Sequence, residues 1–322
     1  MNRRWALALF VASGCRSILG IDDPTFESDD APSDVMPHDT GSGSDAPAAT
    51  CLDKWHDGTV QLSTPSPVLD SGAIITQIGP WVSDDELELW FNAEVAGQNR
   101  SGIFRATRGT TAAMFANPVE RTDLDNGRDN IDISLTPDLL TAVVGNQDRT
   151  DGPGLPDLFL ATRASTSANF GTPSPTPLGG VDTVNFEFDS HISRDGLRIY
   201  FSREPKSGGS PQPAQINFAS RASTSAAFGT PTVLGFGGDY DSTPAVSRDE
   251  TIIFWSRGTD AYSMFYATRP DTSATFGSPI SVPIGASTRD DGPFLSADSC
   301  TLYFSRFDGN QTTTILASHV IL

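Results

Sequence analysis

Four pairs of residues in this sequence could do chemistry together: Asn130 and Asp132, Glu187 and Asp189, Asp239 and Asp241, and Asp290 and Asp291. Two carboxylates held about 5 to 9 Å apart suffice for hydrolysis of a glycosidic bond. The same oxygens suit calcium, a hard cation, and a third reading makes them a solvated acidic rim. If the chain is an enzyme, Glu187, Asp241 and Asp290 are expected to carry catalysis. As ligand-binding candidates the set is Asp132, Glu187, Asp189, His191, Asp241 and Asp290. Each pair precedes a Ser or Thr followed two positions on by Asp, so one recurring element must position them all.

That element repeats openly. ATRASTSANFGTP at 161–173 returns as ASRASTSAAFGTP at 219–231, with further copies from Ala106 and Ala267. Between these copies runs a second motif, seen as PWVSDDELELWFNA from Pro80, SHISRDGLRIYFSR from Ser190, PAVSRDETIIFWSR from Pro244 and PFLSADSCTLYFSR from Pro293; a degenerate version begins at Ile133. Aligned on Ser83, Thr136, Ser193, Ser247 and Ser296, the copies are spaced by 53, 57, 54 and 49 residues. A period near fifty signals a propeller or solenoid.

Two positions past each anchor stands Asp (Asp85, Asp138, Asp195, Asp249, Asp298), suited to a tight turn because its carboxylate accepts local N–H groups. Seven and eight past it stand aromatic pairs, Trp90-Phe91, Tyr200-Phe201, Phe254-Trp255 and Tyr303-Phe304, with Val143-Val144 in the second copy. A short run apolar on both faces and bounded by turns describes a strand between neighbouring sheets. Each unit therefore reads as an inner strand ending at the anchor, a hairpin at the Asp, an aromatic strand, a third strand ending in Ala-Thr-Arg, and an outer strand after Phe-Gly-Thr-Pro. Four antiparallel strands per unit make a propeller blade.

The S-x-D turn before an apolar strand resembles the WD40-like PD40 repeats related to the propeller of TolB. The resemblance covers about residues 60 to 322 and implies the fold; it implies little about function, since such propellers serve many purposes. The expected class is all-β, a five-bladed propeller of four-stranded antiparallel blades. The chain ends after the third strand of the last blade, and Thr59 to Leu69 precedes the first blade with no unit of its own, so this N-terminal strand is expected to close the ring. Closure removes exposed sheet edges. Six blades, common in TolB-type propellers, is the alternative.

Residues present in every blade are more economically explained by blade construction than by catalysis. Arg108, Arg163, Arg221 and Arg269 are thus expected to bond to a neighbouring turn or carboxylate. His191 lies two residues before its anchor, where other blades carry Trp81, Ser134, Ala245 and Phe294, a packing position. The histidines His38, His56, His191 and His319 show no metal-ligand spacing, and no G-x-S-x-G elbow, zinc signature or P-loop appears. No cofactor is expected, with calcium the one ligand the acidic groups would suit. Two turn-rich insertions, at 146–157 and 203–215, read either as surface loops that carry recognition or as tolerated surface length.

The 322-residue chain carries a formal charge of -19, which excludes nucleic acid as a partner because like charges repel at range. Residues 1–14 read as a lipoprotein signal peptide: Arg3 and Arg4 precede an apolar run too short to span a bilayer, ending Ala-Ser-Gly-Cys. The last four residues resemble a lipobox with Ala12 in place of the usual leucine, which makes Cys15 the lipidation site. Contact with the membrane would then be through the lipid alone, at the outer membrane of a Gram-negative bacterium. Residues 15–50, rich in Asp, Ser, Pro and Gly, cannot bury enough apolar surface to order and read as an acidic tether. Residues 51–322 form the propeller. Cys51 lies ahead of the closing strand and Cys300 in the last hairpin, and in an oxidising compartment the two are expected to form a disulfide.

Taken together, the sequence is read as a monomeric, non-catalytic, envelope-anchored propeller that binds a protein or a glycan or serves as a scaffold. A glycan-active hydrolase or lyase with carboxylates at the channel mouth is the alternative from another class. A purely structural envelope component is the third.

Overall fold

The computed structural model describes residues 49–322 apart from 73, 75, 96, 126, 208–209, 260, 286–288 and 310–311. The signal peptide, Cys15, His38 and nearly all of the tether lie outside the described residues. No helix among the described residues is long and apolar enough to cross a membrane.

The chain forms a five-bladed propeller. Blade 1 runs Gln77–Val82, Glu88–Glu94, Ser101–Thr107 and Ala116–Glu120; blade 3 runs Phe186–Ile192, Arg198–Glu204, Gln215–Ser220 and Thr232–Val233. Blade 4 comprises Asp241–Val246, Ile252–Arg257, Ser263–Thr268 and Ile280–Ser281. Blade 2 has Asn130–Leu135, Thr141–Asn146 and Asp157–Thr162, its outer strand reduced to one bridge between Leu160 and Ser174. Blade 5 takes Asp290–Leu295, Thr301–Phe307 and Thr313–His319 from the C-terminus and its outer strand, Ser66–Pro67, from the N-terminus, with Ser66 opposite Ala317. The ring thus closes through the segment expected from the sequence.

Each repeated motif has a local job. The anchor hydroxyl donates to the turn Asp at 2.6 to 2.7 Å in all five blades and accepts the N–H of the first residue after the turn. The residue three past the anchor (Glu86, Leu139, Gly196, Glu250, Ser299) adopts positive φ to complete the turn. Its carbonyl accepts from the Ala-Thr-Arg arginine in four blades: Arg108, Arg163, Arg221 and Arg269 donate to Glu86, Leu139, Gly196 and Glu250 at 2.6 to 2.8 Å. Each guanidinium then covers the Phe of its own Phe-Gly-Thr-Pro motif, 4.1 to 4.5 Å from the ring centre, where the ring quadrupole attracts a cation. The thirteen-residue repeat is a self-contained clamp tying the third strand to the hairpin and the outer turn.

The core divides into five clusters, one for each blade interface. Of each adjacent pair on the second strand, the first residue faces the next blade and the second the preceding one, because successive side chains on a strand point to opposite faces. Trp90 packs with Ile133 and Val144 of blade 2, whereas Phe91 packs with Tyr303 of blade 5. All eight rings of these pairs are fully buried. A Cys51–Cys300 disulfide, Cα atoms 5.1 Å apart, joins the short helix Cys51–His56 to the blade 5 hairpin. From that helix Trp55 stacks edge-on against Phe254 and Tyr266.

Candidate functional site: a carboxylate cluster on the propeller axis

The inner strands bring side chains to the axis in layers. Every inner strand carries a register shift three to five residues before its anchor. At the residue four before the anchor, φ is positive in four blades: Gly79 (63°), Asp189 (51°), Thr243 (53°) and Gly292 (61°); Asp132 holds that position in blade 2. A bulge re-aims side chains and is common beside active sites. Glycine takes such a conformation freely, but Asp189 and the β-branched Thr243 hold it under strain of order 1–3 kcal/mol each.

This layer surrounds a cavity of about 100 Å³ into which Asp132, Asp189, Thr243 and Asp291 converge from four blades. Asp291 Oδ1 accepts from Thr243 Oγ1 at 3.0 Å and from the N–H of Gly292 at 2.8 Å. Asp132 Oδ2 accepts the Ser190 N–H at 2.6 Å, a bond from blade 3 to blade 2. Gly292 abuts Gly79, a Cβ on the former falling 3.1 Å from the Cα of the latter, so the blade 5–blade 1 side of the axis is closed by bare backbone.

Below this layer, Trp81, His191 and Phe294 form the floor, with ring centres 5.8 Å (Trp81 to Phe294) and 6.1 Å (His191 to Phe294) apart. These three also line a second, smaller cavity beneath, so they divide the channel. Beyond that, Arg194 reaches from blade 3 to Asp84 of blade 1 at 2.7 Å. Above the cluster, Tyr240 and Tyr262 stand near enough to feel the charge of Asp189.

Electrostatics set the carboxylates apart. Burial, and then the charges of Asp132 and Asp291, hold the Asp189 carboxyl well above the ordinary carboxylate range, opposed only by the Thr243 N–H. Burial lifts Asp132 to about 7 despite its bonds from Ser190. Burial lowers His191 to about 4, leaving a neutral imidazole in the floor.

Of the residues expected from the sequence, Asp132, Asp189 and His191 line this cavity. Glu187, Asp241 and Asp290 do not: each is buried inside its own blade in an ion pair, with Arg203 (2.8 Å), Arg257 (2.6 Å) and Arg306 (2.7 Å) respectively. All three sit six residues before the anchor, directly opposite an Arg ten residues after it, and these pairs hold the inner two strands together. Asp291 stands among the paired carboxylates of the sequence but outside its ligand-binding set, and Thr243 stands in neither. The column of Gly, Asp and Thr four before the anchors was the signal, since Gly within a strand marks a bulge.

A five-bladed propeller with carboxylates gathered on its axis is the class that fold and site define. No family model matches the sequence, and no curated protein is similar to it. Solved structures are. A thermostable family-43 glycoside hydrolase superposes with TM-score 0.54 at 15% identity, over 79% of this chain and 92% of that one. The GH43_1 enzyme from Xanthomonas citri, complexed with xylotriose, gives TM-score 0.53 at 13% identity, over 79% and 89%. TolB from Acinetobacter baumannii gives 0.47 at 14% identity, over 76% of this chain and 54% of TolB. The likeness to the two hydrolases establishes the propeller. It also corrects the expectation of a non-catalytic binding or scaffold protein: similar propellers of matching length are glycoside hydrolases.

Proposed function

We propose that this protein is a glycan-active hydrolase that cleaves a glycosidic bond in the axial cavity. The observation that carries the reading is the convergence of Asp132, Asp189 and Asp291, from three different blades, on one cavity at the ring axis. Hydrolysis needs one carboxyl that is protonated and one that is ionised, facing a single bond. Asp189, held protonated by burial and by its two acidic neighbours, is the general acid that protonates the leaving oxygen. Asp291, its Oδ1 anchored by Thr243 and Gly292, is the general base that activates water. Asp132 touches neither proton; where it is ionised, above about pH 7, its charge adds to that of Asp291 in keeping the proton on Asp189. The aromatic floor offers an apolar face to a sugar ring, and the closed floor favours a terminal sugar over a chain threaded through the ring.

The structural neighbours support a pentose-based substrate, one of them having been crystallised with xylotriose. The disulfide supports an exported chain, which lipid at Cys15 would hold at the outer membrane. The Ser–Asp turns support kinship with PD40 repeats.

Purified protein is assayed against xylo-oligosaccharides and a panel of aryl pentosides. Turnover is expected, with kcat falling about 10²- to 10⁴-fold in Asp189→Asn and Asp291→Asn, the usual worth of acid–base catalysis. Folded protein that neither cleaves nor binds any of these glycans overturns the reading.

A further inference from the structure

Away from the axis, the two insertions both contact the segment that enters the inner strand of blade 3. The carbonyl of Pro156, in the first, accepts the N–H of Glu187 at 3.0 Å, and the N–H of Lys206, in the second, donates to Asn185 Oδ1 at 2.9 Å. At this junction Asp157, Asp182 and Glu187 place carboxylate oxygens within 4.8 Å of one another, and all three residues are buried. We propose that this triad is a calcium site that locks both insertions to the propeller, independent of the hydrolytic reading.

Three observations carry it. First, Asp182 is only 9% exposed, and its Oδ2, buried, has no hydrogen-bond partner among the described residues, while Oδ1 accepts the Leu158 N–H at 3.1 Å. An unsatisfied buried carboxylate oxygen is costly, and a cation satisfies it directly. Second, neutral oxygens join the acidic ones. A Cβ on Gly154 would stand 2.3 Å from the Asn185 carbonyl, 2.6 Å from that of Thr183 and 2.8 Å from Asp157 Oδ1, and one on Gly152 would stand 2.1 Å from Asp157 Oδ2. Glycine is required at both positions so that backbone can close on the carboxylate. Carboxylates mixed with backbone carbonyls, in irregular geometry, suit calcium better than magnesium, which demands a near-ideal octahedron and retains its waters. Third, the charges do not balance. Arg203 pairs with Glu187 at 2.8 Å, and Lys206 lies near Asp157 with its ammonium over the Phe186 ring. Two cations against three carboxylates leave negative charge unmatched among the described residues.

The test is calorimetric titration of calcium chloride into full-length protein stripped with chelator, with thermal unfolding alongside. One calcium per chain and a raised unfolding temperature are expected. In Asp182→Asn and Asp157→Asn, binding should weaken by at least the roughly 10- to 100-fold that loss of even an outer-sphere partner costs a metal site. In chelator, Asp182→Asn should unfold at or above the wild-type temperature, because it removes a repelling charge; its lost calcium response would then not reflect misfolding. Asp157→Asn supplies the same readout if Asp182→Asn does not fold. Asp291→Asn, on the axis, should bind calcium as wild type does. Absence of any calcium response up to about 10 mM, beyond the range of extracellular calcium modules, overturns the site. So does undiminished binding in both triad variants, or loss of binding in Asp291→Asn instead.

Discussion

Replacing Asp132 with Asn should make the protein more stable above neutral pH. Asp132 is 7% exposed and titrates at about 7 in the folded chain against an ordinary value of 3.8, a difference of about three units. Each unit is worth about 1.4 kcal/mol, so the ionised side chain opposes folding by up to about 4 kcal/mol. The sign follows from proton counts. Between pH 4 and 7 the folded chain keeps a proton that the unfolded chain has released, so stability falls as pH rises, and above about 7 there is no further loss. Asn cannot ionise, yet it retains a carbonyl oxygen for the Ser190 N–H now bonded at 2.6 Å. Urea unfolding of Asp132→Asn and wild type should therefore agree near pH 4 and diverge steadily to a gain of about 2 to 4 kcal/mol at pH 8, the lower value allowing for relaxation and water entry. Asp189 shares the cavity and titrates in the same direction, so the double variant should gain less than the sum of the singles. An Asp132→Asn variant that is no more stable than wild type at pH 8, or equally changed at pH 4 and pH 8, refutes the electrostatic reasoning.

Two further outcomes concern the frame. Reducing the Cys51–Cys300 bridge, which spans 249 residues, should cost about 5 kcal/mol on the chain-entropy model and be visible as a lower unfolding temperature in dithiothreitol; an unchanged temperature refutes it. Arg221→Ala removes a buried guanidinium that bonds the Gly196 and Ala226 carbonyls and covers Phe228, and should cost about 2 to 4 kcal/mol by urea unfolding, whereas Arg248→Ala, an exposed change, should stay within about 0.5 kcal/mol.

The fold was legible because its motifs act within one repeat. Ser193 bonds Asp195 two residues on, and Arg221 covers Phe228 seven residues on, so both contacts repeat wherever the letters repeat. The site was only half legible because its geometry depends on a bulge. Alternation along an unbroken strand puts the residues six and four before the anchor on one face, making Glu187 and Asp189 equivalent; the register shift between them separates an ion pair from an axial acid. A comparison between repeats could have separated them. Acid at the earlier position coincides with Arg ten past the anchor in blades 3, 4 and 5, while blade 2 pairs Asn130 with Asn146 and blade 1 has Gln77 opposite Ala93. Residues that change together across repeats are partners in building the blade. Those four before the anchor change without such a partner.

That contrast also explains how the ring tolerates its axis. Among the described residues no cation pairs with the buried Asp132 or the half-buried Asp189, and Asp189 and Thr243 sit in strained backbone, so this layer works against folding. One bulge away, Glu187, Asp241 and Asp290 are each matched to an arginine and brace the same strands from within their blades. Breaking a buried pair by removing one partner costs about 3 to 5 kcal/mol, comparable to what the axial acids oppose. A stabilising pair therefore stands next to a destabilising functional group on the inner strand of blade 3. Asp290→Asn and Asp291→Asn, adjacent in sequence, should consequently diverge: the first loses stability and keeps turnover per folded molecule, and the second loses turnover and keeps stability.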